Sequence, residues 1–183
     1  MDSFPAIEID KVKAWDFRLA NINTSECLNV AYGVDANYLD GVGVSITSIV
    51  LNNRHINLDF YIIADVYNDA FFQKVAKLAE QYQLRITLYR INTDKLQCLP
   101  CTQVWSRAMY FRLFAFQLLG LTLDRLLYLD ADVVCKGDIS QLLHLDLNGA
   151  VAAVVKDIDP MQEKAASRLS DPELLGQYFN SGV

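Results

Sequence analysis

The chain has 183 residues, enough for one domain of ordinary size, and 52% of them are apolar while 21% are charged. Its formal net charge of −6 argues against broad binding to nucleic acids or anionic membranes, because both depend on concentrated Lys and Arg. No apolar run approaches the length of a membrane span, and the first residues lack the basic and apolar regions of a signal peptide. We therefore expect a globular domain of the cytoplasm.

The four cysteines carry little functional signal. In the cytoplasm they are expected to be reduced. Cys98 and Cys101 have C-x-x-C spacing, but no second Cys/His pair follows them. We therefore favour loop or buried cysteines, with a redox or zinc role as the minor alternative.

The first part of the chain predicts alternating strands and helices. Residues 1–27 form a weakly patterned leader whose apolar side chains are expected to pack on the outside of the domain. Strands are predicted at residues 28–34, 58–64 and 84–89, with a helix from about Tyr38 and a second one capped by Asn68. This order indicates a parallel, right-handed, Rossmann-like α/β sheet. The third glycine of a dinucleotide fingerprint is missing, which argues against an NAD enzyme.

Polar residues follow the first strand at its junction with the helix. Gly33 would let a ligand approach the backbone, and Asp35 and Asn37 come directly after it. Either acid or amide could bind a ligand or could merely cap the helix. The two functions are compatible, and the sequence does not choose between them.

A third helix is predicted over residues 106–116, apolar nearly all round and hence buried. Arg112 lies in the middle of its apolar surface. A buried guanidinium needs an anionic partner, which a carboxylate of the protein or a ligand phosphate or hydroxyl could provide. The alternative is that Arg112 extends to the surface from the helix edge.

Residues 126–134 form the stretch with the clearest chemistry. Four apolar residues predict a central parallel strand buried on both faces, and it leads directly into Asp130 and Asp132. Ligands of open α/β sheets bind beyond the carboxyl ends of strands, and two carboxylates there suit Mn²⁺ or Mg²⁺ with substrate phosphates. The alternative is a solvated turn, because short Asp-x-Asp triplets also arise by chance.

Residues 151–155 predict another buried strand, which would deliver Asp157 to its carboxyl end. Asp157 begins the second Asp-x-Asp triplet of the chain. The two histidines, His55 and His144, are assigned no function. The last residues, 176–183, look like the beginning of a strand, so we expect the polypeptide to be part of something longer.

Four motifs together resemble glycosyltransferase family 8, in order and approximate spacing, from about Leu28 to the last residue. They are Ala31–Tyr38, Tyr110–Leu113, Leu129–Asp132 and Tyr178–Val183. Four coordinated motifs are far more specific than one Asp-x-Asp. Within the family the chain looks closest to the enterobacterial lipopolysaccharide core enzymes that transfer glucose or galactose from a UDP-sugar.

The resemblance implies a GT-A type nucleotide-binding domain and a retaining, metal-dependent hexosyl transfer, with glucose favoured and galactose possible. Asp130 and Asp132 would bind Mn²⁺ or Mg²⁺, which grips the diphosphate, and Arg112, Asp157 and Asn180 would face the donor sugar. Arg112 and Asp157 join the two acids as the candidate catalytic residues. The implied uridine-binding residues are Gly33, Val34, Asp35, Ala36, Asn37 and Tyr38, with Asp130 and backbone contact from Ala131.

The resemblance also implies what the chain lacks. In the family a further acidic motif and a late metal-binding His lie beyond the position of Val183, as do the acceptor site and a basic membrane-associating tail. Residues 28–183 would thus be the nucleotide-sugar-binding part of an enzyme that acts on the lipopolysaccharide outer core at the inner face of the inner membrane. We expect weakened metal and sugar binding and little transfer by these residues alone.

Two other classes remain as alternatives. A haloacid-dehalogenase-like phosphohydrolase also carries an Asp-x-Asp after an apolar strand, but there the motif normally opens the fold, whereas three strands precede it here. A Rossmann-like module that only binds its ligand is the second alternative.

Overall fold

The computed structural model describes residues 7–18, 26–102, 106–169, 177–180 and 182. The chain divides into two compact units, residues 1–144 and residues 145–183. Each unit has its own sheet.

The first unit is built on a five-stranded sheet with the order β1-β4-β3-β2-β5. Its elements are β1 (Ile9–Asp16), β2 (Cys27–Val34), α1 (Leu39–Asn52), β3 (Asn57–Ala64), α2 (Asp69–Tyr82), β4 (Arg85–Ile91), α3 (Phe111–Leu119) and β5 (Leu127–Tyr128). Strands β2, β3, β4 and β5 are parallel, and only β1 is antiparallel to its neighbour β4. The predicted mostly parallel α/β sheet is therefore confirmed.

Both faces of the sheet are covered, which explains why its strands are apolar without interruption. Alternate residues of one strand enter two separate cores: Phe60 and Ile62 face α1 and α2, whereas Tyr61 and Ile63 face α3. The predicted N-cap of α2 is confirmed, because the side chain of Asn68 accepts a hydrogen bond from the N–H of Phe71 at 2.8 Å.

The interpretation of residues 1–27 as a leader on the outside of the domain misses β1, which is a full strand of the sheet. It pairs with β4 from Ile9 opposite Ile91 to Asp16 opposite Arg85. Its apolar residues Ile9, Val12 and Trp15 recur every three positions instead of every two. A bulge between Lys11 and Lys13 shifts the register, so the alternation that would have indicated a strand is broken.

Helix α3 is less buried than its composition predicts. Phe111, Phe114, Ala115 and Leu119 are buried against the sheet. Met109 in the preceding 3₁₀ turn and Leu113 and Phe116 on the opposite face are exposed. Apolar composition alone does not bury a face, because burial also needs a surface to pack against.

Strand β5 is not central, contrary to the prediction. It is the last strand in the described sheet order, and it consists of two residues that pair with Val30 and Ala31 of β2. The N–H of Leu129 continues the ladder to the carbonyl of Ala31 at 3.0 Å. Tyr128 and Leu129 are buried because they pack into the cores on the two faces of the sheet.

The second unit contains β6 (Val155–Lys156), α4 (Asp159–Leu169) and β7 (Phe179–Asn180). β6 and β7 form an antiparallel two-stranded ribbon in which Val155 lies opposite Asn180. The predicted buried strand at residues 151–155 is wrong, because Val151, Val154 and Val155 are all exposed. In the described part of the chain this segment pairs only with β7, which covers neither of its faces.

Candidate nucleotide and metal site

The carboxyl ends of three parallel strands place three acidic residues at one edge of the first unit. Val34 pairs with Ala64, so Asp35 and Asp65 directly follow neighbouring strand ends. Tyr128 pairs with Ala31, and Asp130 follows it two residues later. This is the edge of an open α/β sheet at which ligands bind.

Asp35 has two hydrogen-bonded neighbours. Its Oδ1 accepts from the backbone N–H of Asn37 at 3.0 Å, so it caps the 3₁₀ turn Ala36–Tyr38 that leads into α1. Its Oδ2 accepts from the hydroxyl of Ser106 at 2.7 Å. Asp35 thus caps this turn, whereas the N-cap of α1 itself is Tyr38, which makes no side-chain capping hydrogen bond. Ligand binding by Asp35 or Asn37 stays a prediction.

Gly33 is needed for packing. A Cβ at this position would lie 2.8 Å from Cβ of Phe111 and 2.9 Å from the hydroxyl oxygen of Tyr128. The N–H of Gly33 donates to that hydroxyl at 3.2 Å. The absence of a side chain at Gly33 therefore allows its backbone to pack closely against Phe111 of α3 and Tyr128 of β5. Gly33 begins the candidate nucleotide loop, residues 33–38.

Arg112 is held against the acidic motif. Its Nη2 donates to Oδ1 of Asp130 at 3.1 Å and to Oδ2 at 3.4 Å, and its Nε donates to the carbonyl of Met109 at 2.9 Å. The guanidinium lies over the ring of Tyr128, 5.1 Å from its centroid. The predicted need for an anionic partner is confirmed, and Arg112 does not extend to the surface.

Asp130 and Asp132 differ in environment. Burial raises the pKa of Asp130; the guanidinium of Arg112 opposes this rise, and the charge of Asp132 adds to it. Asp132 is exposed. Ala131 between them is buried, and its carbonyl oxygen would lie 3.1 Å from a Cβ at Gly41, so the motif packs against the first turn of α1.

The donor set fits a hard divalent cation only in part. Within the described residues no three His, Cys, Asp or Glu side chains are close enough to hold a metal. Two carboxylates that repel each other at a strand end are nevertheless the protein ligands that Mg²⁺ or Mn²⁺ uses when phosphates and water complete its shell. Asp130 and Asp132 fit that arrangement.

Asp65 was missed by the sequence analysis. Its Oδ1 is buried and has no hydrogen-bond partner in the described part of the chain. Burial raises the pKa of Asp65, and the nearby charge of Asp35 adds to the rise. The available signal was its position directly after β3, the same signal that selected Asp35 and Asp130.

Asp157 and Asn180 lie near each other within the second unit. The N–H of Asp157 donates to the carbonyl of Tyr178 at 3.1 Å, beside the pairing of Val155 with Asn180. Oδ1 of Asp157 accepts from the N–H of Ile158, and Oδ1 of Asn180 accepts from the N–H of Gly182, both at 2.8 Å. Their role at the donor sugar stays a prediction.

The cysteines and histidines form no further site in the described residues. Cys98 and Cys101 are exposed free thiols, and Cys27 is buried. His144 is exposed, and His55 lies 3.5 Å from Asp138.

Comparison with protein families gives a match to the model of glycosyl transferase family 8 over residues 29–183. The chain belongs to glycosyltransferase family 8. The match spans all four motifs from which the resemblance was inferred. It leaves no support for the phosphohydrolase alternative, in which the motifs around Tyr110 and Phe179 have no function.

Among curated family-8 relatives, the chain is 96% identical over 183 residues to a lipopolysaccharide 1,2-glucosyltransferase of Escherichia coli K12, and it covers 54% of that protein. It is 37% identical over 169 residues to a lipopolysaccharide 1,3-galactosyltransferase of Salmonella typhimurium, covering 91% of this chain and 50% of that protein. The chain thus spans about half the length of the curated relatives it matches.

Solved structures agree on the fold of the family. The galactosyltransferase LgtC, in complex with donor and acceptor sugar analogues, superposes with a TM-score of 0.71 at 21% identity, over 85% of this chain and 56% of that one. The predicted GT-A type fold is confirmed. No helix within the described ranges combines the length and the apolar composition that crossing a membrane requires.

Proposed function

We propose that this family-8 chain forms the nucleotide-sugar-binding part of a retaining hexosyltransferase that uses a UDP-sugar. The observation that carries the proposal is the contact of Gly33 with Tyr128 and of Arg112 with Asp130. These contacts join the candidate nucleotide loop to the acidic motif at one sheet edge. The acceptor is a lipopolysaccharide core, in line with the glucosyl- and galactosyltransferase relatives.

In this proposal the loop from Gly33 to Tyr38 binds the nucleoside. Tyr38 is exposed, so its ring is accessible for stacking on a base. Asp35 accepts hydrogen bonds at the nucleoside edge, and Asn37 accepts or donates them. Asp65, with its unpartnered Oδ1, is suited to accept from a ligand hydroxyl.

Transfer breaks the anomeric C–O bond, leaving a nucleoside diphosphate with crowded negative charge. Mn²⁺ or Mg²⁺ held by Asp130 and Asp132 would supply Lewis-acid stabilisation of that leaving group. Arg112 adds charge-assisted hydrogen bonds to the diphosphate or donor sugar, which strengthen as charge develops. Asp157 and Asn180 orient the donor sugar.

Glucose is the favoured hexose and galactose the second candidate, because relatives of both kinds match the chain. The site of action is the cytoplasmic face of the inner membrane. A chain that binds the nucleotide without transferring the sugar is the second candidate, since the matched relatives are about twice as long.

The decisive experiment is a calorimetric titration of UDP into the chain with and without Mn²⁺. We expect Mn²⁺ to tighten UDP binding at least tenfold, and Asp130→Ala and Asp132→Ala each to abolish that gain. The matched control is Asp124→Ala, which removes an exposed carboxylate six residues before Asp130. Equal UDP affinity with and without Mn²⁺ in the wild-type chain would overturn the metal assignment.

A second experiment tests the donor. UDP-glucose and UDP-galactose are each incubated with the chain, Mn²⁺ and truncated lipopolysaccharide, and the products are weighed by mass spectrometry. A hexose adduct supports transfer, preferentially from UDP-glucose. Metal-dependent UDP binding without any adduct supports the binding-only candidate.

A further inference from the structure

A buried glutamine holds the two-stranded ribbon of the second unit together at one end. Gln162 belongs to α4 and is 3% exposed. Its carboxamide makes three hydrogen bonds, all with main-chain atoms of Asp157 and Tyr178. Nε2 donates to the carbonyl oxygen of Asp157 at 3.0 Å and to that of Tyr178, and Oε1 accepts from the N–H of Tyr178 at 2.8 Å. One side chain of the helix thus fixes both strands of the ribbon.

The carboxamide takes part in the pairing of the two strands. The register of β6 and β7 places Asp157 opposite Tyr178. Two residues that form a hydrogen-bonded pair in an antiparallel ladder exchange two N–H···O bonds. Here the N–H of Asp157 donates to the carbonyl of Tyr178 at 3.1 Å, whereas the N–H of Tyr178 and the carbonyl of Asp157 are both bonded to Gln162. The side chain therefore bridges the two groups that the second bond of the pair would join.

This bridge requires a carboxamide. The group has two N–H donors and an acceptor oxygen, and the bridge uses both kinds of atom. The reverse orientation would bring the NH₂ group to the N–H of Tyr178 and the oxygen to two carbonyls, so the hydrogen bonds determine which way the amide of Gln162 faces. A carboxylate of the same size would have no donor for the two carbonyls.

The main chain that Gln162 holds carries both residues assigned to the donor sugar. Asp157 is one of them, and Asn180 lies two residues after Tyr178 on the opposite strand. Each has one side-chain oxygen bound to a nearby main-chain N–H at 2.8 Å, that of Ile158 for Asp157 and that of Gly182 for Asn180. The orientation of both side chains therefore depends on the path of the main chain at this end of the ribbon.

We propose that Gln162 is a positioning residue for the donor hexose. It acts only through the main chain, by tying Asp157 to Tyr178 and so fixing how Asp157 and Asn180 are presented together. A small displacement of groups that orient a substrate has a large effect, which is why a residue that holds them matters for binding the sugar. The proposal rests on the proposed function, since it takes Asp157 and Asn180 as the residues that orient the hexose.

The test is saturation-transfer NMR of UDP-glucose with the chain and Mg²⁺, which reports separately on the uridine and the hexose protons that contact the protein. We expect Gln162→Met to lower the hexose signal about threefold, because Asp157 and Asn180 no longer hold the sugar in one orientation. The uridine signal, which the proposed function assigns to residues 33–38, should stay at the wild-type level. A general loss of folding would instead lower both signals together.

Two further variants separate the hydrogen bonds from the size of the side chain. Gln162→Glu keeps the shape but turns an oxygen towards the two carbonyls, so it should lose the hexose signal as Gln162→Met does. Glu163→Met is the matched control, because it introduces the same side chain at the next, exposed position of α4. It should change neither signal.

Asp157→Ala and Asn180→Ala show which proposal fails. If both lower the hexose signal while the two Gln162 variants keep it, the proposed function stands and the positioning role of Gln162 is wrong. Equal losses of the hexose and uridine signals in the Gln162 variants would also contradict that role, because they indicate structural support alone. If the wild type gives no hexose signal, or if Asp157→Ala and Asn180→Ala leave it unchanged, the donor-sugar assignment fails and the role of Gln162 fails with it.

Discussion

The two ends of one mostly parallel sheet carry two arginine–aspartate pairs with the same closest distance. Arg18 lies 3.1 Å from Asp59 near the amino end of β3, and Arg112 lies 3.1 Å from Asp130 beyond the carboxyl end of β5. The arginine side chains are 13% and 16% exposed, but the carboxylates differ, at 4% for Asp59 and 36% for Asp130. Asp59 also has a second cation, Arg85, at 3.3 Å.

This difference indicates which pair supports the fold and which is available to a ligand. Asp59 is enclosed, and Nη1 of Arg18 donates to both of its oxygens while Arg85 approaches Oδ2. At 4% exposure, the side chain of Asp59 presents little surface to an incoming cation. Among the described residues Asp130 forms an ion pair with Arg112 alone; it is accessible to solvent, and the carboxylate of Asp132 repels it. An ion pair that is incompletely satisfied can exchange partners at low cost.

The largest expected effect is on the amino-end pair. Arg18→Gln should lower the free energy of unfolding by about 2–3 kcal/mol at pH 7.5, because the buried carboxylate of Asp59 loses one of its two cations. Burial raises the pKa of Asp59 and the arginines oppose this rise, so their loss raises it further. The folded state then takes up a proton more readily than the unfolded state, and the deficit shrinks as the pH falls towards that raised pKa.

Urea unfolding between pH 7.5 and pH 5 measures this deficit, with Arg112→Gln as the matched substitution at the other end of the sheet. Because Asp130 is more than one-third exposed, Arg112→Gln should cost less than about 1 kcal/mol. Equal losses in both variants would remove the distinction between the two pairs.

A second prediction tests whether the loosely paired carboxyl end is also loosely packed. Gly33→Ala should destabilise the fold by about 2 kcal/mol, because its Cβ would lie 2.8 Å from Cβ of Phe111, which cannot rotate away. Gly43→Ala is the control: a Cβ there meets nothing within 4 Å, and helix propensity predicts a gain of about 0.5–1 kcal/mol. Thermal unfolding of both variants measures the difference, and a tolerated Gly33→Ala would show that packing around residues 33–38 yields easily.

Much of the fold and of the candidate site could be predicted from the sequence, and the parts that could not be predicted have physical causes. Periodicity located β2, β3, β4 and all three helices of the first unit, because buried faces on both sides of a sheet leave uninterrupted apolar runs. The same logic placed Asp35 and Asp130 at strand ends. The apolar surroundings of Arg112 predicted an anionic partner from the protein or a ligand, with extension to the surface as the alternative, and the structure shows the contact with Asp130.

The predictions from sequence were wrong where one residue breaks the alternation of a strand, or where burial depends on residues far away in the sequence. A bulge breaks the alternation of β1, and the apolar run at residues 151–155 does not reveal whether another element packs on it. The partners Ser106 and Tyr128 were missed as well, because each contacts a residue at least 71 positions away. Local patterns carry no information on such pairs.

A third prediction concerns the hydroxyl of Tyr128. Tyr128→Phe removes the acceptor of the Gly33 N–H but keeps the ring under Arg112, so it should cost about 1 kcal/mol of stability and weaken UDP binding about fivefold. Tyr61→Phe is the control, because its hydroxyl donates to Asn29 at 3.3 Å, away from the strand ends. It should cost similar stability and leave UDP affinity unchanged. The same loss of UDP affinity in both variants would reduce the role of Tyr128 to stability.

The smallest expected effect is at Ser106, which directly precedes the 3₁₀ turn Arg107–Tyr110. Its hydroxyl donates to Oδ2 of Asp35 at 2.7 Å. Both residues are accessible to solvent, and the hydroxyl of Ser106 also accepts a long N-cap hydrogen bond from the N–H of Ala108 at 3.4 Å, so Ser106→Ala should cost only about 0.5 kcal/mol of stability. It should weaken UDP binding only about threefold, because Oδ1 of Asp35 still accepts from the N–H of Asn37. That hydrogen bond limits how far the carboxylate can turn. Ser106→Thr keeps the hydroxyl and should restore the affinity. If the Ala and Thr variants bind UDP equally, the hydrogen bond does not orient Asp35, and the acids at the carboxyl end depend on Arg112 and the backbone for their arrangement.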